Sequence, residues 1–267
     1  MSDGRRALIT GASSGIGAAT AQVLAQAGYR VALLARRREA LEQVAASLPA
    51  PAAGEHVTVV ADVRDESQLR EALAQVDRAF GGLDLLVNNA GIGYRARVAE
   101  LEVERVRALI DTNVVGLLVA CRESLPLLRR GVLPVVVNVS SVVGRRGIPG
   151  QAVYAASKAA VCSISEALRV EWADEDIAVT NLEPALTATG FFAAQDNPGG
   201  LPDPDLRDAA GPEEVGREVL ALDRRPRPEV NLRWKWRLLG ALSVLVPRFS
   251  DRVLVRRLGG DWRVPRR

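Results

Sequence analysis

A chain of 267 residues with a net charge of +3 is long enough to bury a large core without disulfides or a metal. Its apolar and charged fractions, 48% and 25%, exclude a disordered or fibrous chain. No apolar run reaches the ~18 residues that a membrane-spanning helix needs. The first strand-like run starts at Arg5, so no signal peptide is expected. Cys121 and Cys162 stand apart from each other and from His56, which gives no metal-ligand spacing and fits a reducing cytosol.

In chain order, residues 5–10 form a short β-like run, then a glycine-rich turn and a helix to about 27. Strand 30–35 precedes a helix through 48, strand 56–61 a helix to 80, and strand 83–88 a long helical stretch over 103–130. Residues 132–140 are almost uninterrupted β-branched sequence; a helix over 151–173 and a strand over 177–183 follow. Near-continuous apolar strands alternating with helices predict a parallel sheet covered on both faces. The right-handed crossover rule makes a single α/β domain of Rossmann type, with a doubly wound parallel sheet, the simplest arrangement. Residues 190–211 are rich in Gly, Pro, Asp and Ala, with Phe191 and Phe192 adjacent, and are expected to form a substrate loop. Pro212-Glu213-Glu214 has the signature of a helix start, and 229–232 that of a final strand.

The turn after the first strand reads Thr10-Gly-Ala-Ser-Ser-Gly-Ile-Gly17. Gly11, Gly15 and Gly17 let the backbone turn tightly and approach a pyrophosphate, with Ser13, Ser14 and Ile16 opening a helix whose N–H groups face the anion. A turn that merely closes strand on helix would use the same glycines. Its place at the first strand–helix junction favours a dinucleotide. The second strand ends in Ala35-Arg36-Arg37-Arg38, with no acid to accept from a ribose 2′-hydroxyl. Arg36 and Arg37 suit a 2′-phosphate, so NADP(H) is expected over NAD.

Tyr154-Ala-Ala-Ser-Lys158 is the sharpest signal, because the chain has only three tyrosines and two lysines. Residues i and i+4 share a helix face. An ammonium beside a phenol favours the phenolate, so Lys158 is expected to draw the Tyr154 pKa toward neutrality and make it a general acid/base.

With these residues in view, the chain resembles the short-chain dehydrogenase/reductase family over nearly all of residues 5–232. Asp62-Val63 is similar to the family's adenine-contacting pair. Asn88-Asn89-Ala90-Gly91 matches its motif after the fourth strand, and Asn113 its helix-kink asparagine. Ser141, thirteen residues before Tyr154, matches the catalytic serine better than Ser140. Pro184 opens the segment that carries Thr187 and Thr189 toward the nicotinamide, with Ala185 where the family has glycine. The resemblance implies an oxidoreductase that moves a hydride between NADP(H) and a carbonyl or alcohol. Ser141 would bind the substrate oxygen and Tyr154 transfer the proton. Lys158 would tune Tyr154 and hold the cofactor ribose, and Asn113 would position a water that reconnects Lys158 to solvent. Assembly as a homodimer or homotetramer is also implied. A cofactor-binding regulator without turnover could share the fold, but would not need all four of Asn113, Ser141, Tyr154 and Lys158.

The remaining residues, 233–267, form a basic extension holding three of the four tryptophans and the apolar run 238–246. From Arg224 onward, thirteen Arg/Lys face Glu229, Asp251 and Asp261. This composition suits a terminal helix packed on its own domain, a peripheral membrane contact or a subunit contact. No reading module accompanies the cations, so no nucleic acid is expected. The Phe pair and the apolar tail point to a hydrophobic carbonyl or alcohol as substrate, in a cytoplasmic protein; a peripheral membrane protein on the same fold is the alternative that the tail leaves open.

Overall fold

The computed structural model describes residues 4–51, 54–198, 200–203, 205–207, 209–258 and 262–264. The side chains of Trp234 and Trp236, two of the tryptophans singled out in the tail, lie outside the described set, as do the last three residues. Seven parallel strands form one sheet in the order β3-β2-β1-β4-β5-β6-β7. They are β1 (Arg6–Thr10), β2 (Arg30–Ala35), β3 (Val57–Val60), β4 (Leu85–Asn88), β5 (Val135–Val139), β6 (Ala178–Glu183) and β7 (Glu229–Asn231). The strands read as continuous apolar runs because both faces are buried. Leu8, Leu34, Val59, Leu86 and Val136 pack on one side and Ile9, Leu33, Val87, Val137 and Leu182 on the other.

Helices α1 (Gly15–Gln26), α2 (Arg38–Ser47) and α7 (Pro212–Arg224) supply residues to the second layer. Helices α3 (Glu66–Phe80), α5 (Gly116–Leu128) and α6 (Ala152–Glu171) supply the first. The expected 103–130 helix is interrupted. After α4 (Val103–Ile110), a π-helical turn at Asp111–Val115 carries Asn113 before α5 resumes. The expected strand 132–140 is shorter than its apolar text. Leu133 sits at φ +48 before Pro134, so the chain bends there and pairing begins at Val135.

Strand order reverses beside β1, whose neighbours are β2 and β4. The chain turns away from the sheet in opposite directions on either side of this point, which opens a crevice at the carboxyl ends of the strands, beside the turns after β1 and β4. The opposite end is closed by ion pairs. Arg6 Nη2 lies 2.6 Å from Asp84 Oδ1, and Arg5 Nη2 lies 2.7 Å from Asp223 Oδ1. The extension forms two helices, α8 (Trp234–Leu245) and α9 (Pro247–Leu258), folded back on the domain. Arg233 pairs with Glu214 at 2.6 Å, Arg146 pairs with Asp251, and Gly240 lies against the Arg145 side chain.

Candidate active site

The crevice is a single cleft of about 1130 Å³. At one end the glycine turn is held open by its neighbours. Gly11 adopts φ +68 and Gly15 φ +54, conformations that side-chain-bearing residues rarely take. A Cβ on Gly11 would come within 2.8 Å of Ala90 Cα, and one on Gly17 would strike the Gly11 carbonyl. Asn89 locks the two turns together, its Nδ2 donating to the carbonyls of Thr10 at 3.0 Å and Gly11 at 3.2 Å. The backbone N–H groups of Asn89 and Ala90 both donate to Thr10 Oγ1 at 3.0 Å. Helix α1 lacks an anion of its own. Its N-cap Ser14 makes no side-chain cap bond and its first turn holds no acid, whereas α3 is capped by Asp65. A cradle of glycines at a bare helix N-terminus fits a pyrophosphate.

Arg37 Nη2 donates to Ser13 Oγ at 3.3 Å and to Ser14 Oγ at 3.2 Å, placing a guanidinium against the turn. Arg36 projects into solvent with Nη1 3.7 Å from Asp62 Oδ2. Asp62 is claimed mainly by Arg64, whose Nη2 donates at 2.6 Å and whose hydrogen bonds hold the carboxyl below its ordinary pKa. Val63, Gly91, Pro184, Thr187 and Thr189 complete the expected wall. Ala185 is not strained: among the described residues only Leu133 and Asp176 combine a side chain with positive φ.

At the centre, Tyr154 and Lys158 lie on one face of α6 with Lys158 Nζ 5.8 Å from the phenol ring centroid. Ser141, at the end of β5, faces Tyr154 and lines the cleft, while Ser140 is buried and donates to the Leu182 carbonyl at 3.2 Å. The backbone beyond Ser141 is fixed by Arg145, whose Nε donates to the buried Glu183 at 2.6 Å. Lys158 Nζ donates to the Val139 carbonyl at 2.9 Å, and burial pushes its pKa down to about 8. The expected lowering of the Tyr154 pKa does not occur. Burial raises it above its ordinary value, and the opposing influence is the Ser141 hydroxyl rather than Lys158. Asn113 and Gly17 do not line the cleft. Asn113 sits behind it, with Oδ1 accepting from Ile92 N at 2.9 Å and Nδ2 donating to Ile92 O at 3.0 Å and Ser157 Oγ at 3.1 Å. These bonds tie the turn after β4 to α6. Gly91 occupies the gap: a Cβ there would lie 3.3 Å from Asn113 Oδ1 and 3.6 Å from Lys158 Nζ.

The other end is apolar. Phe191 packs on Tyr154 with ring centroids 5.8 Å apart and meets Phe192 edge-on at 5.7 Å. The wall continues through Leu201 from the same loop and through Leu254, Leu258 and Trp262 from the extension. Arg95 was not anticipated from the sequence. Its guanidinium is buried in the wall and donates to Asp203 Oδ1 at 2.7 Å, to the Leu201 carbonyl at 3.1 Å and to that of Pro202. Nothing near Arg95 in the sequence signals this, because its partners lie more than a hundred residues away.

A family model for short chain dehydrogenases matches residues 5–198. The chain belongs to the short-chain dehydrogenase family. An oxidoreductase of Mycobacterium tuberculosis that is itself uncharacterized is 36% identical over 251 residues, covering 93% of this chain and 96% of that protein. Among solved structures, an alcohol dehydrogenase from Thermococcus sibiricus complexed with 5-hydroxy-NADP superposes with a TM-score of 0.76 at 28% identity, covering 86% of this chain and 97% of that one. A 3-ketoacyl-(acyl-carrier-protein) reductase from Brucella melitensis complexed with NADH gives 0.73 at 29% identity, covering 83% and 91%. The two solved structures share the fold of this chain, and one is complexed with 5-hydroxy-NADP and the other with NADH.

Proposed function

We propose that this chain is an NADP(H)-dependent oxidoreductase that interconverts a hydrophobic carbonyl compound and its alcohol. The observation that carries the reading is the position of Tyr154. Its ring marks the junction between the glycine-cradled polar end of the cleft and the wall built by Phe191 and the extension. The glycine turn, Asn89, Ala90 and Gly91 would hold the dinucleotide, Asp62 and Val63 the adenine end, and Pro184, Thr187 and Thr189 the nicotinamide end. Arg37, with Arg36, would meet the 2′-phosphate. When bound, the cofactor supplies or accepts the hydride.

The protein supplies the proton and the geometry. Ser141 donates a hydrogen bond to the substrate oxygen, polarising the carbonyl. Tyr154, held as the neutral phenol by burial, gives its proton to the oxygen as negative charge develops there. This protonation state favours carbonyl reduction at neutral pH. Oxidation needs the phenolate and is expected to gain rate as pH rises. Lys158, fixed on Val139, places a positive charge behind the phenolate that reduction leaves. Asn113 is a positioning residue, holding the turn after β4 on α6.

A panel of aldehydes and ketones of increasing chain length, followed by NADPH absorbance, tests this reading. The expected result is turnover that improves with apolar length. A chain that binds NADPH tightly and turns over none of them would instead be a cofactor-binding regulator.

A further inference from the structure

The extension shows two different faces. On α9, Leu254 is buried and both Leu254 and Leu258 line the cleft. The opposite side carries Arg248, Arg252 and Arg256, all exposed and spaced i, i+4, i+8 so that they form one stripe. On α8, Lys235, Leu238, Leu242 and Leu245 form a second exposed stripe, while Gly240 and Ser243 turn inward. The apolar surface continues over the link between the helices, with Leu245 78%, Val246 43% and Phe249 59% exposed. Acid is nearly absent. Asp251 is the sole acidic residue from 233 to 258, and Arg146 occupies it.

We infer that the α8–α9 hairpin docks on an anionic lipid bilayer, with Leu238, Leu242, Leu245 and Phe249 entering the headgroup region and the Arg248–Arg252–Arg256 stripe meeting lipid phosphates. Apolar tips rimmed by cations are the interfacial combination, since burial and charge attraction act together. Among the described residues no helix is long and apolar enough to cross a membrane, so the contact is peripheral. A second copy is a poor occupant, because self-pairing would set one arginine stripe against another. Docking sets α9 between bilayer and cleft, so an amphiphilic substrate leaving the headgroup region meets Leu258 and then Leu254. The docking stands independently of the reductase reading; the delivery of substrate rests on it.

The test is co-sedimentation of the full chain with vesicles of phosphatidylcholine, alone or mixed with phosphatidylglycerol. Binding to the anionic vesicles is expected, at least about tenfold weaker to neutral ones or in high salt. Leu245→Glu/Phe249→Glu and Arg248→Glu/Arg252→Glu should each abolish it. Every substituted side chain is exposed, so both variants should keep the parent's thermal melt and its turnover of a short soluble carbonyl. Failure to bind anionic vesicles, or binding indifferent to both variants, overturns the inference. So does a parent dimer that Leu245→Glu/Phe249→Glu dissociates, since a second copy would then cover the face. The melt distinguishes misfolding from lost docking even for a chain without reductase activity.

Discussion

In the polar half of the cleft, the contact residues follow directly on strands. The glycine turn leaves β1, Arg36 and Arg37 leave β2, and Asn89 to Gly91 leave β4. Each is positioned by a sheet whose register is fixed along its length. In the apolar half, Phe191 and Leu201 come from a long loop, and Leu254 and Trp262 from the C-terminal extension. They are held by scattered pairs between residues distant in sequence, such as Arg95–Asp203, Arg146–Asp251 and the stacking of Arg97 on Trp262 at 4.3 Å. The polar half is built on the sheet, and the apolar half on segments tied to the domain by a few side-chain pairs. On the proposed function, the reaction chemistry would sit on the sheet and selectivity on the loop and extension, and mutations should separate the two.

The largest effect is expected at their meeting point. Lys158→Met should lower kcat/KM by about 10²–10⁴-fold, because the charge behind the phenolate is gone. It should also stabilise the fold. The lysine's folded pKa of about 8 lies below its ordinary 10.5, so the unfolded chain binds the proton more readily. The cost of burying the ammonium is then full below pH 8 and fades as pH rises through the interval to 10.5. That cost is at most about 3 kcal/mol, and losing the bond to Val139 returns about 1 kcal/mol. A rise in Tm of about 4 °C at pH 7, shrinking toward pH 10, is the expected signature in thermal melts.

A middling effect is expected in the polar half. Arg36→Ala/Arg37→Ala should raise the NADPH Kd by about 10–100-fold and leave NADH nearly unchanged, as calorimetry would show, since only the former carries the phosphate. Equal losses for both cofactors would assign the arginines to the fold. The smallest effect is expected in the apolar half. Arg95→Ala frees the loop at Leu201–Asp203 and should raise KM for a long-chain substrate by about 3–10-fold. Cofactor Kd and turnover of a short substrate should stay at parent values. An equal rise for short and long substrates would mean that the latch shapes the whole site.

The same contrast explains what could be read from the sequence. Strands and helices were legible because burial on both faces leaves an unmistakable apolar text, and the polar half because its motifs sit at strand ends. Boundaries failed where one residue decided them, as at Leu133, whose positive φ is invisible in a β-branched run. The wall made by α9 was not legible in the sequence, where the apolar run 238–246 is the stronger signal, because α9 is held by the Arg146–Asp251 pair, which joins residues far apart in sequence. The Tyr154 pKa was read in the wrong direction for a related reason: i, i+4 spacing reveals the lysine but not the burial around the phenol.

The central claim is that the Tyr154 hydroxyl delivers the proton on a site whose cofactor half does not need it. Tyr154→Phe isolates that hydroxyl while keeping the ring that packs on Phe191. The direct measurement is single-turnover reduction of a long-chain aldehyde alongside NADPH titration. The account predicts a rate lower by about 10³-fold or more, with the NADPH Kd within about twofold of the parent. A rate within about tenfold of the parent would contradict it.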